Sequence, residues 1–132
     1  MEQIESQQNY GGILLMLCNR QDLPIHLRIS ASITFKNYVK RNWKSNEDFG
    51  DKIVANDRQS IKTSITELML SSPEQIQRQL SDAISIISKE DFPEKWPELL
   101  PALVPKLKCG DFHVINGVLR TAHSIFKRSY FC

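Results

Sequence analysis

Cysteine is scarce in this sequence. Cys18, Cys109 and Cys132 are odd in number and far apart among 132 residues, which argues against a disulfide framework or a zinc site and suggests a reducing, intracellular setting. Charge of one sign is scarce too. The chain carries 17 Lys and Arg against 15 Asp and Glu, a net +2, too little to imply nucleic acid or an anionic membrane as partner. Long hydrophobic runs are missing: the longest, residues 13–18, falls far short of the roughly 20 apolar residues that span a bilayer. No basic stretch precedes an apolar core and a small-residue cleavage site, so no secretory signal is read. Strand signals are weak, because β-branched residues fall at helical rather than alternating spacing.

Catalytic signatures are absent as well. There is no Gly-rich phosphate loop, no nucleophile elbow and no His/Cys constellation. Asp111 and His113 stand near Cys109, but neighbours at one helix start cannot form a triad without distant partners. His113 and His123 have no carboxylate or cysteine at metal spacing, so a hydrogen-bonded structural histidine is the better reading. His26 stands alone at a helix start. No enzyme activity, cofactor or metal is expected.

What the sequence does contain is helical periodicity. At 41% hydrophobic and 24% charged residues it reads as a folded soluble protein. Its clearest stretch is 73–87. Ser72 is expected as N-cap, Pro73 as the first helical residue and Gln75 as the partner in a capping box. Ile76, Leu80, Ala83, Ile84 and Ile87 then form one apolar stripe, with Gln77, Arg78, Ser81, Asp82 and Ser85 opposite. Phe92, Pro93, Trp96 and Pro97 follow as a stiff aromatic corner, in which Phe92 and Trp96, like Trp43 earlier, read as core anchors.

Other helices flank this one. Residues 10–20 read as a short helix, apolar nearly all round and weakened at its start by Gly11 and Gly12. A second, with Asp22 or Leu23 near its cap, carries Leu27, Ala31, Phe35, Tyr38 and Val39 and runs to about Asn42, closed by Trp43. Its other face holds Arg28, Lys36, Lys40 and Arg41, the last two suiting a helix C-terminus. Residues 44–50 read as an acidic surface loop. A third helix opens near Asn56 or Asp57 with Ile61, Ile65, Leu68 and Met69 inward. After the corner, Leu99, Leu100, Leu103, Val104 and Leu107 keep helical spacing, but Pro101 and Pro105 each delete a backbone bond, so a bent or partly irregular helix is expected. Gly110 stops it. Asp111 caps a last helix with Val114 or Ile115, Val118, Leu119, Ala122, Ile125 and Phe126 as its stripe.

The helices pair off near 10–43, 56–90 and 97–128, a spacing of about 42 residues that suits HEAT or armadillo repeats. The fold class expected is therefore all-α, a HEAT-type α-solenoid fragment of about three helix pairs. Residues 1–9 form a frayed tail, 10–128 the repeat domain and 129–132 a short end. A closed six-helix bundle is the alternative. The terminal helices are too apolar for solenoid caps, so the chain reads as a slice or short version of a longer array.

The residues themselves resemble a family. Residues 31–43, Ala-Ser-Ile-Thr-Phe-Lys-Asn-Tyr-Val-Lys-Arg-Asn-Trp, look like the importin-β N-terminal signature. Residues 68–76, 79–87, 91–93 with 96–97, and 110–124 resemble the export receptors of that family, and the likeness covers about 10–128. Pro101 and Pro105 are not part of the family pattern. The resemblance implies a nuclear transport receptor segment, shuttling between nucleus and cytoplasm. It implies binding of the GTP-bound small GTPase Ran, importin-α as cargo in the full-length family, and contact with the nuclear pore, with no nucleic acid and no membrane insertion. Ran would be held by the polar faces of the second helices: Lys36, Asn37, Lys40 and Arg41, then Gln75, Arg78, Gln79 and Asp82. Each of these residues, taken singly, also fits an ordinary solvated helix face, and Asn37 could instead bond a neighbouring helix's backbone. Two other readings stay open: a generic HEAT scaffold whose Lys36/Lys40/Arg41 strip binds an acidic peptide or RNA, and an inactive truncated form.

Overall fold

The structure is a computed structural model that describes residues 9–44 and 52–131. The expected loop 44–50 and tail 1–9 lie outside the described residues, save Lys44 and Asn9. Among the described residues six α-helices follow in order: α1 (Tyr10–Cys18), α2 (Ile25–Asn42), α3 (Ala55–Ser71), α4 (Glu74–Asp91), α5 (Leu99–Leu103) and α6 (Phe112–Phe131), with a 3₁₀ segment (Val104–Lys108) between the last two. No strand occurs among the described residues.

The packing is that of an α-solenoid. Each helix packs on its pair mate: α1 on α2, α3 on α4, and the 3₁₀ segment on α6. Successive pairs lie side by side, with α3 flanked by α1 and α5, and α4 flanked by α2 and α6. One layer is therefore α1, α3 and α5, and the other α2, α4 and α6. The core runs between them and includes Phe35, Tyr38 and Val39 from α2, Ile61, Ile65 and Met69 from α3, and Ile76, Leu80, Ile84 and Ile87 from α4.

Position in the stack decides how much of each helix is buried. The stripe of α4 is buried as the spacing predicts, but so are Gln77, Ser81 and Ser85, read from sequence as its polar face. Gln77 and Ser81 meet α6, a third neighbour that a single-helix pattern does not reveal. Ser81 and Thr121 share a hydroxyl hydrogen bond of 2.8 Å, so these buried polar groups are satisfied. Gly117 makes that approach close: a Cβ there would lie 2.6 Å from Gln77 Nε2. Gly11 does the same for α1, where a Cβ would lie 2.8 Å from Ile61 Cδ1, so it serves close packing rather than only weakening the helix. The stripe of α6 is displaced for the same reason. Val114, Gly117, Val118, Thr121 and Ile125 turn inward, while Leu119 and Phe126 stay exposed.

Helix ends differ from expectation in a consistent way. Ser72 does not cap α4. Pro73 holds that position with no side-chain bond, and no capping box with Gln75 forms. Ser72 Oγ instead donates to the Leu68 carbonyl at 2.6 Å, closing the last turn of α3. Asp22 likewise does not cap α2, which starts after Pro24; its carboxylate accepts from Arg20 Nε at 2.9 Å. That contact holds the Asp22 carboxyl below the usual carboxylate range. Arg28, read as surface, is buried and donates Nε to the Cys18 carbonyl at 2.8 Å, satisfying the end of α1. Leu27, read as core, is exposed in its place. Asp111 does cap α6, accepting from the His113 amide at 2.9 Å. Gly110 adopts φ +78°, a left-handed stop. The Pro101/Pro105 stretch is irregular as expected, one short α-helix passing into a 3₁₀ turn.

Candidate functional site

Side by side, α2 and α4 leave a groove of about 420 Å³ between their outer faces, lined by Lys36, Val39, Lys40, Trp43, Lys44, Asp82, Ile86, Lys89 and Glu90. The walls are charged side chains of both signs. The floor is Val39 and Trp43, both buried, with Ile86 half-buried beside them. Four lysines and two carboxylates on an apolar floor suit a protein surface better than a polyanion, which like charges would serve best.

The eight residues singled out from the sequence divide between this groove and its margins. Lys36, Lys40 and Asp82 line it. Gln75, Gln79, Asp82 and Ile86 fall at i, i+4, i+7 and i+11, so the wall continues toward the start of α4 as an amide stripe. Gln79 is half-buried, and its Oε1 is closed off from water with no hydrogen-bond partner among the described residues. Asn37, half-buried, and Arg41, exposed, stand one position further round α2 and do not line the groove. Arg78 turns the other way. Its Nη2 pairs with Glu74 at 2.9 Å, and Glu74 also lies 3.9 Å from Arg120 of α6. Arg78 therefore belongs to the α4–α6 side of the face.

Sequence reasoning missed Lys44, Lys89 and Glu90. Lys89 lies seven residues after Asp82, and carrying that stripe through two more turns would have found it. It also missed what holds the groove's far end. Asp91 is buried, accepts from Trp43 Nε1 at 3.2 Å and pairs with Lys62 Nζ at 2.8 Å. Lys62 donates as well to the Lys95 carbonyl at 2.9 Å. Arg58 lies over the Trp43 ring at 4.7 Å. One carboxylate thus ties the ends of α2 and α4 to α3 and fixes how far apart the groove walls stand. No spacing rule links residues 48 positions apart, so only the fold discloses it.

Of the remaining chemistry-bearing residues, His113, Trp43, Trp96 and Cys18 take structural places. His113 Nε2 lies 2.6 Å from the Ser72 carbonyl, a bond it must donate. Trp43 and Trp96 are buried in the core. Burial pushes the Cys18 thiol up to about 11, with Arg28 opposing the shift, so Cys18 is not a nucleophile at neutral pH. Among the described residues no three His, Cys, Asp or Glu side chains gather as metal ligands, and no described helix is long and apolar enough to cross a membrane.

The importin-beta N-terminal domain model matches residues 1–71. The chain is 59% identical to "Exportin-2" of Homo sapiens and of Bos taurus over 128 residues, and 56% identical to that of Xenopus laevis, covering 97% of this chain. It spans 13% of the length of these curated relatives. Among solved structures, "The exportin Cse1 in its cargo-free, cytoplasmic state" superposes with a TM-score of 0.85 at 40% identity, over 96% of this chain and 14% of that one. The chain belongs to the importin-beta N-terminal domain family.

Proposed function

We propose that this chain is a repeat segment of an exportin-type nuclear transport receptor, and that its α2–α4 face holds the GTP-bound form of Ran. The observation that supports this reading most is the groove itself: two second helices side by side, with Lys36 and Lys40 of α2 on one wall and Asp82, Lys89 and Glu90 of α4 on the other, over an apolar floor. The 59% identity to proteins named exportin adds to it. The work is binding rather than catalysis. A curved, pre-formed face discriminates nucleotide state when one state orders a matching surface, since affinity follows differential contacts alone. In the whole receptor importin-α is the cargo, further repeats complete the grip, and the receptor shuttles between nucleus and cytoplasm with contact to the nuclear pore.

The test is titration of the chain with Ran loaded with GTP or with GDP, using wild type and Lys36→Glu/Lys40→Glu. Binding to the GTP form, at least about 10-fold weaker for the GDP form and for the double variant, supports the reading. Equal affinity for the two nucleotide states contradicts it. Salt-labile binding to an acidic peptide or RNA, with none to Ran, would favour the scaffold reading that the lysine strip alone suggests.

A further inference from the structure

The charges of the α2–α4 groove are sorted by wall. Lys36 and Lys40 stand one turn apart on α2, and Lys44 follows just past its end. Opposite them on α4 lie Asp82 and Glu90, with Ile86 midway between; Lys89, in the last turn, is the exception. Lys36 and Ile86 are half-buried and the others exposed. Among the described residues no ion pair joins a lysine of one wall to a carboxylate of the other. Both signs therefore stay available to whatever lies between them.

We infer that the groove takes an amphipathic helix of a partner protein, acidic along the edge over α2, basic along the edge over α4, with its apolar face on Val39, Trp43 and Ile86. The inference names the occupant of the face assigned above to Ran and, for Ran itself, rests on that reading. A helix fits better than an extended segment for a backbone reason. The N–H and C=O groups of α2 and α4 are spent within those helices, so the walls offer a strand no edge to pair with. A helix brings its backbone bonds already made. Size agrees. From Lys36 to Lys44, and from Asp82 to Glu90, each wall runs about 12 Å at the helical rise, a length that two turns of an occupant match. Its apolar anchors would fall at i, i+3 or i+4, and i+7, with charges flanking them as in a coiled coil.

The sorting also selects a direction. Turning an amphipathic helix end for end over the same floor exchanges its edges. An occupant with fixed edges therefore lies one way only, since the other way sets acid on acid and base on base.

Two stapled helical peptides of about 15 residues and identical composition test this without Ran. In one, glutamates line one edge of the apolar face and lysines the other. In the second, both edges alternate in sign. The sorted peptide should bind at least about 10-fold more tightly, read by fluorescence anisotropy at low salt. Lys36→Glu/Lys40→Glu and Asp82→Lys/Glu90→Lys should each abolish that advantage. The fourfold variant, with both walls reversed, should regain it with the peptide turned round. Direction is read from which end of the groove a photo-crosslinker on the peptide's N-terminus labels. Circular dichroism checks that each variant folds; Lys40→Gln and Asp82→Asn, milder changes at exposed positions, stand in for any that does not. Equal affinity for the two peptides, no binding of either, or an unchanged direction in the fourfold variant overturns the inference. Preference for the sorted peptide without binding of Ran-GTP supports the inference and overturns the Ran reading instead.

Discussion

The middle helix pair and the two end pairs are built from similar residues but live in different surroundings. α3 and α4 have neighbours on both sides. Among the described residues the end pairs have one each. Of the exposed large apolar residues, Ile13, Met16, Ile25, Leu27 and Ile33 belong to the first pair, and Val104, Leu107, Phe112, Leu119 and Phe126 to the last. Among the described residues only Val54, just ahead of α3, belongs to the middle. Burial in a stacked array is thus set by the number of neighbours as much as by a helix's own stripe. α4 buries Gln77, Ser81 and Ser85 where α6 leaves Leu119 and Phe126 in water.

The comparison breaks if middle and end positions respond alike to mutation. The largest effect is expected where charge is buried. Asp91→Ala leaves Lys62 partly desolvated, both side chains keeping under a tenth of their exposure in the wild type, and should cost about 3–5 kcal/mol in urea melts. Leu80→Ala, in the fully covered α4, should cost about 2–5 kcal/mol. Leu119→Ala, on the uncovered line of α6, should stay within about 0.5 kcal/mol in dilute solution. Equal losses at Leu80 and Leu119 would mean that the ends are as well packed as the middle.

A pH effect sharpens the same contrast. The Cys18 thiol is raised to about 11 by burial, so above the ordinary thiol value of 9.0 the unfolded chain loses a proton that the folded chain keeps. Stability should therefore fall as pH rises from about 9 to about 11, and Cys18→Ala should remove that component of the slope while leaving others. The smallest effect belongs to the exposed ion pair. Glu74→Ala should change stability by less than about 0.5 kcal/mol, because Arg78 and Glu74 are both largely in water.

These elements also show what could be read from sequence and what could not. Periodicity located all six helices, their pairing and the irregular proline stretch, because each is a local property of spacing and backbone chemistry. The same spacing placed Leu119 and Phe126 inside and Arg28, Ser81 and Gln77 outside, and the structure reverses each. The cause is common to all of them: a helix pattern reports how many apolar residues share a face, not how many neighbours surround it. Of the candidate face, Lys36, Lys40 and Asp82 were legible because they stand on polar stripes of the two second helices. Lys89 continues the Asp82 stripe and was within reach of the same spacing, whereas Lys44 and Glu90 came into view only when α2 was laid beside α4. The Trp43–Asp91–Lys62 node could not be read at all, since Asp91 sits 48 residues from Trp43 and 29 from Lys62.

Lysine footprinting in the presence of Ran tests the account at its centre. With Ran-GTP, and not with Ran-GDP, amine modification at Lys36, Lys40 and Lys89 should drop several-fold, while Lys106 and Lys127 outside the groove stay unchanged. Unaltered groove lysines in saturating Ran-GTP, or protection confined to Lys106 and Lys127, would contradict it.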